Sequence, residues 1–144
     1  MEELFELREH IQQGRYDSAL LLIGEMEEMS QDDKINKLGS FVTILLLHLI
    51  KQQAEGRSTR SWEISIRNAA REIIFTNKRR KAGGYYMRAD ELREIIDERY
   101  VIALSHASLE AFEGIYSPEE LDERVNESAI KEEALGLILQ AQTL

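Results

Sequence analysis

Residues 41–50 read FVTILLLHLI, and they sit in a longer run, Lys34–Gln53, whose reading decides the fold. Ile35, Leu38, Val42, Leu45 and Leu49 recur at helical spacing, and Ile44, Leu46, Leu47 and Ile50 extend the apolar surface nearly all round. A helix apolar on every side belongs in the middle of a core. Thr43 and His48 interrupt the run, and ten residues are too few to span a bilayer.

Other segments repeat the same period. Residues 2–13 place Leu4, Leu7 and Ile11 on one stripe, and Gly14 supplies a stop, because glycine accepts the left-handed backbone that ends helices. Asp17 is the expected N-cap of a second helix, SALLLIGEMEEM. QQGRYDSALLLI therefore reads as a tight helical hairpin, half of a tetratricopeptide-like unit with no second copy at a fixed period. SQDD at residues 30–33 has the form of a capping box, with Ser30 as cap, that starts the central helix. Gly56 breaks it, and Ser58 or Thr59 caps a fourth helix over residues 60–81.

A fifth helix covers about residues 89–111 with Leu92, Ile95, Ile96, Ala103 and Ala107 inward, closed by Gly114. SPEE at residues 117–120 is a second helix start: Ser117 as N-cap, Pro118 at the first position and Glu120 at the third. After a break near residues 126–128, a last amphipathic helix carries Ile130, Ala134, Leu137, Ile138 and Ala141. With one proline and no strand-like alternation, these patterns specify an all-α, single-domain bundle of about six or seven helices. Within residues 1–144 the expected organisation is a hairpin at 1–30, three long helices at 31–113 and C-terminal helices at 117–142.

Charge divides unevenly along the chain. The total is −9, yet residues 51–88 hold ten cations against three acids, and the remainder is correspondingly acidic. On the fourth helix Arg60, Arg67, Arg71 and Lys78 fall within about 40° of one another, opposite Trp62, Ile66, Ala69 and Ile73. The expected ridge is roughly 27 Å long and runs on through Arg79, Arg80 and Lys81, where positive charge suits a helix C-terminus. Two uses of such a ridge compete. It can meet an acidic protein surface, in another protein or in a homodimer, or it can hold nucleic acid, with Tyr85 and Tyr86 as stacking aromatics. A net charge of −9 opposes approach to a polyanion and favours the protein partner.

Signs of chemistry are sparse. The absence of cysteine excludes disulfides, thiolate catalysis and thiolate metal sites. His10, His48 and His106 lie far apart without metal-ligand spacing, and no phosphate loop, dinucleotide fingerprint or nucleophile elbow occurs. No metal, cofactor or catalytic set is expected, and the acidic amphipathic start predicts a cytoplasmic protein without a membrane segment. His48 reads as a core-edge histidine bonded to neighbouring backbone, and Trp62 as a core anchor.

Two family likenesses are carried by quoted residues. RYVIALSH sets Arg99 and His106 on one helix face, similar to the Arg-x4–6-His element of the small dimeric all-α ribonucleases of the HEPN superfamily. That likeness implies RNA cleavage at a dimer groove, although no adjacent polar or acidic residue completes the element. The bland account is an arginine stretched along apolar surface beside a core-edge histidine. More extensively, KINKLGSFVTILLLHLIKQQAEGRSTRSWEISIRNAAREI, with GRYDSALLLIGEMEEM before it, resembles the cyanobacterial proteins of domain-of-unknown-function family twenty-nine. The matching positions are His48, Leu49, Lys51, Ser61, Trp62, Ser65, Ile66 and Arg71. The resemblance loosens after Gly114, where the chain has YSPEE in place of a proline-rich stretch. It implies an all-helical, non-secreted protein and brings no activity.

Overall fold

The computed structural model describes residues 2–79 and 83–143, with side chains at those positions except 2–3 and 25–30. Six α-helices follow in order: α1 (Glu2–Gln12), α2 (Tyr16–Glu55), α3 (Arg60–Asn77), α4 (Ala89–Glu110), α5 (Pro118–Asp122) and α6 (Glu127–Gln142). A 3-10 turn, Ala111–Gly114, makes the seventh helical element. Among the described residues, extended pairing is confined to one isolated bridge between Lys78 and Tyr85. The fold is all-α, as the periodicity requires.

Contacts gather the chain into two units, Met1–Asn36 and Lys37–Leu144. In the first, Gly14 takes φ +74° and the Arg15 amide donates to the His10 carbonyl at 2.8 Å, turning the chain from α1 into α2. Ala19 and Leu22 are buried there. Because α2 already begins at Tyr16, Asp17 lies in its first turn rather than at the cap. A carboxylate in that turn still favours the helix dipole.

The break expected at Ser30 is absent, because the backbone is helical without interruption from Tyr16 to Glu55. The Ser30 side chain lies outside the described residues. A capping box can start a helix, but nothing obliges one to stop first: neither Gly24 nor Gly39 takes a positive φ, and no proline intervenes. Serine and aspartate inside a helix cost well under about 1 kcal/mol each relative to alanine.

In the second unit Leu38, Val42, Leu45, Leu46, Leu49 and Ile50 of α2 are essentially inaccessible to solvent, as the apolar run demands. Ala69 and Ile73 of α3 are buried, as are Leu92, Ile96, Tyr100, Ala103 and Ala107 of α4 and Ile130, Ala134 and Ile138 of α6. Caps fix where these helices begin. Thr59 accepts from the Trp62 amide at 3.1 Å, and Ser117 and Glu120 exchange bonds at both ends of a capping box. Asn126 accepts from the Ala129 amide at 3.0 Å. After α4 the chain reverses through three consecutive left-handed residues, Phe112, Glu113 and Gly114. A Cβ at Gly114 would stand 2.9 Å from the Leu109 carbonyl oxygen, so only glycine fits that corner.

Candidate interaction site

The basic stretch divides at Asn77. Helix α3 ends there, and Lys78 adopts extended backbone (φ −76°, ψ 133°), so the cationic row does not continue along the helix as its sequence suggests. Instead the chain doubles back. The Tyr86 amide donates to the Asn77 carbonyl at 2.8 Å, and the Arg79 amide to the Gly84 carbonyl at 3.0 Å. Gly83 and Gly84 both take positive φ, which glycine tolerates and other residues resist.

The Asn77 side chain holds this reversal in place. It is fully buried, accepts from the Met87 amide at 2.7 Å, and donates to the Met87 carbonyl and to Gln142 Oε1. Tyr85, one of the expected stacking aromatics, is half-buried and donates its hydroxyl to the Gln142 carbonyl at 2.8 Å. Tyr86 lies beneath the Arg79 guanidinium, 5.6 Å from ring centre to carbon. Lys78 and Arg79 thus sit on a turn, while Arg80 and Lys81 lie outside the described residues.

What remains on α3 is a shorter row. Arg60, Arg67 and Arg71 are exposed, and no carboxylate lies within 4.0 Å of them among the described residues. Ile64 and Phe75, 42% and 64% exposed, fall within about 80° of Arg67 on the same helix. Phe75 is therefore the aromatic residue beside the row, a position that the sequence reading passed over in favour of the tyrosines. Its helical angle alone would have revealed it.

On the other side of the arginines α3 borders a groove of about 750 Å³. Leu49 of α2, Ile66, Ala70 and Ile74 of α3, and Leu137 and Ala141 of α6 give it an apolar floor. Arg67 and Arg71 stand on the α3 side with Glu63, and Glu133 stands on the α6 side. Gln52 and Gln140 also line it, and its volume is in the range of small-ligand pockets.

Around the start of α3, Trp62 is half-buried between two cations, Lys51 Nζ and the Arg57 guanidinium, each 4.7 Å from its ring centre. Lys51, only 6% exposed, also pairs with Glu110 at 3.2 Å. These contacts tie α2, α3 and α4 together, so Trp62 anchors the helix start through its π face as well as by apolar packing. His48 is half-buried and its Nδ1 donates to the Ile44 carbonyl at 2.9 Å, the backbone bond expected of it.

Arg99 and His106 share a face of α4 but have different surroundings. Arg99 is half-buried with its guanidinium against α2 at Gly39, whereas His106 is exposed. No hydrogen bond joins them among the described residues. Among those residues, also, no cluster of three or more histidine and carboxylate side chains has the geometry to hold a metal ion, and no helix is long and apolar enough to cross a membrane.

A family model described as Domain of unknown function DUF29 matches residues 9–120. The chain belongs to the DUF29 family. The match covers α2, α3 and α4 whole and includes every position on which the likeness was read, from His48 to Arg71. It ends at Glu120, before the α6 residues that complete the groove. No curated protein and no solved structure matches the chain.

Proposed function

We propose that this DUF29 protein is a non-enzymatic helical interaction module of the cytoplasm. Its groove between α2, α3 and α6 receives an amphipathic helix from a protein partner. The observation that carries the reading is the junction of an apolar floor with unpaired Arg67 and Arg71 along one edge. Helix-in-groove recognition needs those two things: an apolar channel for residues at i, i+3, i+4 and i+7, and charge that sets orientation. Glu133 across the groove makes the edges unlike, so the partner helix carries its carboxylates on the flank that meets α3.

The test uses the full chain, isotopically labelled, and a synthetic amphipathic helix with leucines on one face and glutamates on one flank. Binding should move the Ala70 and Leu137 amide resonances, and R67E/R71E should weaken it at least about tenfold, as reversing paired charges does. A peptide that binds without moving those resonances, or that binds the variant equally well, would overturn the reading.

A second reading is nucleic-acid binding along Arg60, Arg67, Arg71, Lys78 and Arg79, supported by exposed Phe75 beside the row. Single-stranded RNA should then bind with an affinity that falls steeply with salt. The same R67E/R71E variant should abolish it. An RNA-cleaving role for Arg99 and His106 is a third reading, supported by their shared face on α4 and the exposure of His106.

A further inference from the structure

Helices α3 and α6, the two long walls of the groove, run parallel. Both begin beside the end of α2. Gln52 of that helix donates to Ser58 Oγ at 2.7 Å, one residue before the Thr59 cap of α3. Gln53 accepts from the amide of Asn126, the cap of α6. At the other end the two helices finish together, where Asn77 meets Gln142 at 3.0 Å. Counting back from that contact at 1.5 Å per residue places Glu133 roughly level with Arg67.

Charge along these walls is ordered. Glu63 lies nearest the start and Arg71 roughly 12 Å further on, with Arg67 and Glu133 between them. Lys78 and Arg79 follow where α3 ends. Glu63, Arg67, Arg71 and Glu133 are all exposed, and none makes an ion pair among the described residues. Their neighbours on α6 are engaged elsewhere, Lys131 with Asp97 and Glu132 with Arg93 of α4. With Glu133 opposite Arg67 the middle of the groove is close to neutral, so its two ends, acidic and basic, do the discriminating.

We infer that the partner helix lies antiparallel to α3 and α6, with its acidic first turn toward Arg71 and its basic last turn toward Glu63. The inference rests on the reading of this groove as a helix seat and adds the direction of its occupant. Two independent effects select that direction. Parallel walls add their dipoles, positive where α3 starts and negative where it ends, and a third helix touching both is favoured when its own dipole opposes theirs. Helices also carry acids in the first turn and bases in the last, which suits their own dipole. Laid antiparallel, such a helix brings acids to Arg71 and bases to Glu63. Laid parallel, it sets like charges together at both ends.

The test uses the full chain, isotopically labelled, and two synthetic helices of one composition with the same leucine face. One carries glutamates in its first two turns and lysines in its last two; the other has the reverse order. Each bears a nitroxide on a C-terminal cysteine, and the protein, having no cysteine, cannot take up the label. The acid-first peptide should bind about fivefold more tightly. Its label should broaden the Ile66 amide more strongly than the Ala141 amide. In E63K/R71E, which alters only exposed side chains, the same label should broaden Ala141 more strongly, because full side-chain charges outweigh the half-charges at helix ends. If neither peptide moves the Ala70 and Leu137 resonances, the groove is no helix seat and the inference falls with it. If those resonances move while the acid-first label lies at Ala141, the seat stands and the direction is overturned. Equal affinity of the two peptides, or an unchanged direction in E63K/R71E, overturns the direction in the same way.

Discussion

Arg99 rests against Gly39: a Cβ built on that glycine would lie 2.5 Å from Arg99 Nε and 2.6 Å from its guanidinium carbon. The glycine is buried within α2, where its missing side chain is the space the guanidinium occupies. Glycine inside a helix costs about 1 kcal/mol relative to alanine, so the position gives up helix stability for this contact. Gly39→Ala alone should change stability little, the helix gain being offset by displacement of Arg99. In an Arg99→Ala background the same change should stabilise by about 1 kcal/mol. A double-mutant cycle by urea unfolding measures the difference, and equal effects in both backgrounds would show that the contact carries no energy.

The buried Asn77 supports a second expectation. Replacing it with alanine leaves the Met87 amide and carbonyl without the side chain that pairs them, in a site closed to water. Stranding such groups costs about 1–3 kcal/mol each, so Asn77→Ala should lower stability by at least about 2 kcal/mol. Circular dichroism during thermal unfolding reads this, and a loss below about 0.5 kcal/mol would contradict the clamp.

Tyr100 behaves in the opposite way. Its ring is buried, and its hydroxyl lies near the Asp122 carboxylate without a hydrogen bond of normal length among the described residues. Burial, with the carboxylates of Asp122 and Glu127, pushes its ionisation above the ordinary tyrosine range, so the hydroxyl stays neutral. Removing an unpaired buried hydroxyl while keeping the ring should be neutral or stabilising. Tyr100→Phe should therefore not lower the melting temperature. Tyr100→Leu should lower it, by removing the ring over which Lys131 sits at 5.1 Å.

At the start of α5, bonds from the Ser117 backbone amide, and then from its side chain, hold Glu120 below the usual carboxylate range. A carboxylate depressed in the folded state adds stability above its unfolded range and loses it as the pH falls through the folded one. Acid unfolding should thus include a contribution from this cap at pH values below about 4.5. Glu120→Gln should remove that contribution, whereas Ser117→Ala keeps the backbone amide that supplies the larger part of it. A pH–stability profile with the same acid limb in the Glu120→Gln variant would refute the link.

The residues show why some of this was legible in advance. Periodicity gave the helical class and the inward residues of α4 and α6, because a 3.6 repeat records burial directly. Ser117 and Thr59 were readable because a cap is a bond across three residues. Two readings failed for a shared reason. Lys78 and Arg79 tolerate helix, so their identity does not announce a turn. What decides it is Asn77 reaching Met87 ten residues on and Gln142 sixty-five residues on. At Ser30 a local start signal was outweighed by forty residues of unbroken helix. The groove was invisible for the same reason, since its far wall comes from α6, a long way along the chain from Arg67.

Gln142 meets Asn77 with its side chain and Tyr85 with its carbonyl, so a single residue in the last turn of α6 secures both arms of the basic reversal. Protease trimming of the C-terminus would therefore be felt at a site more than fifty residues upstream, as a loosened display of Lys78 and Arg79 with the helical core left standing.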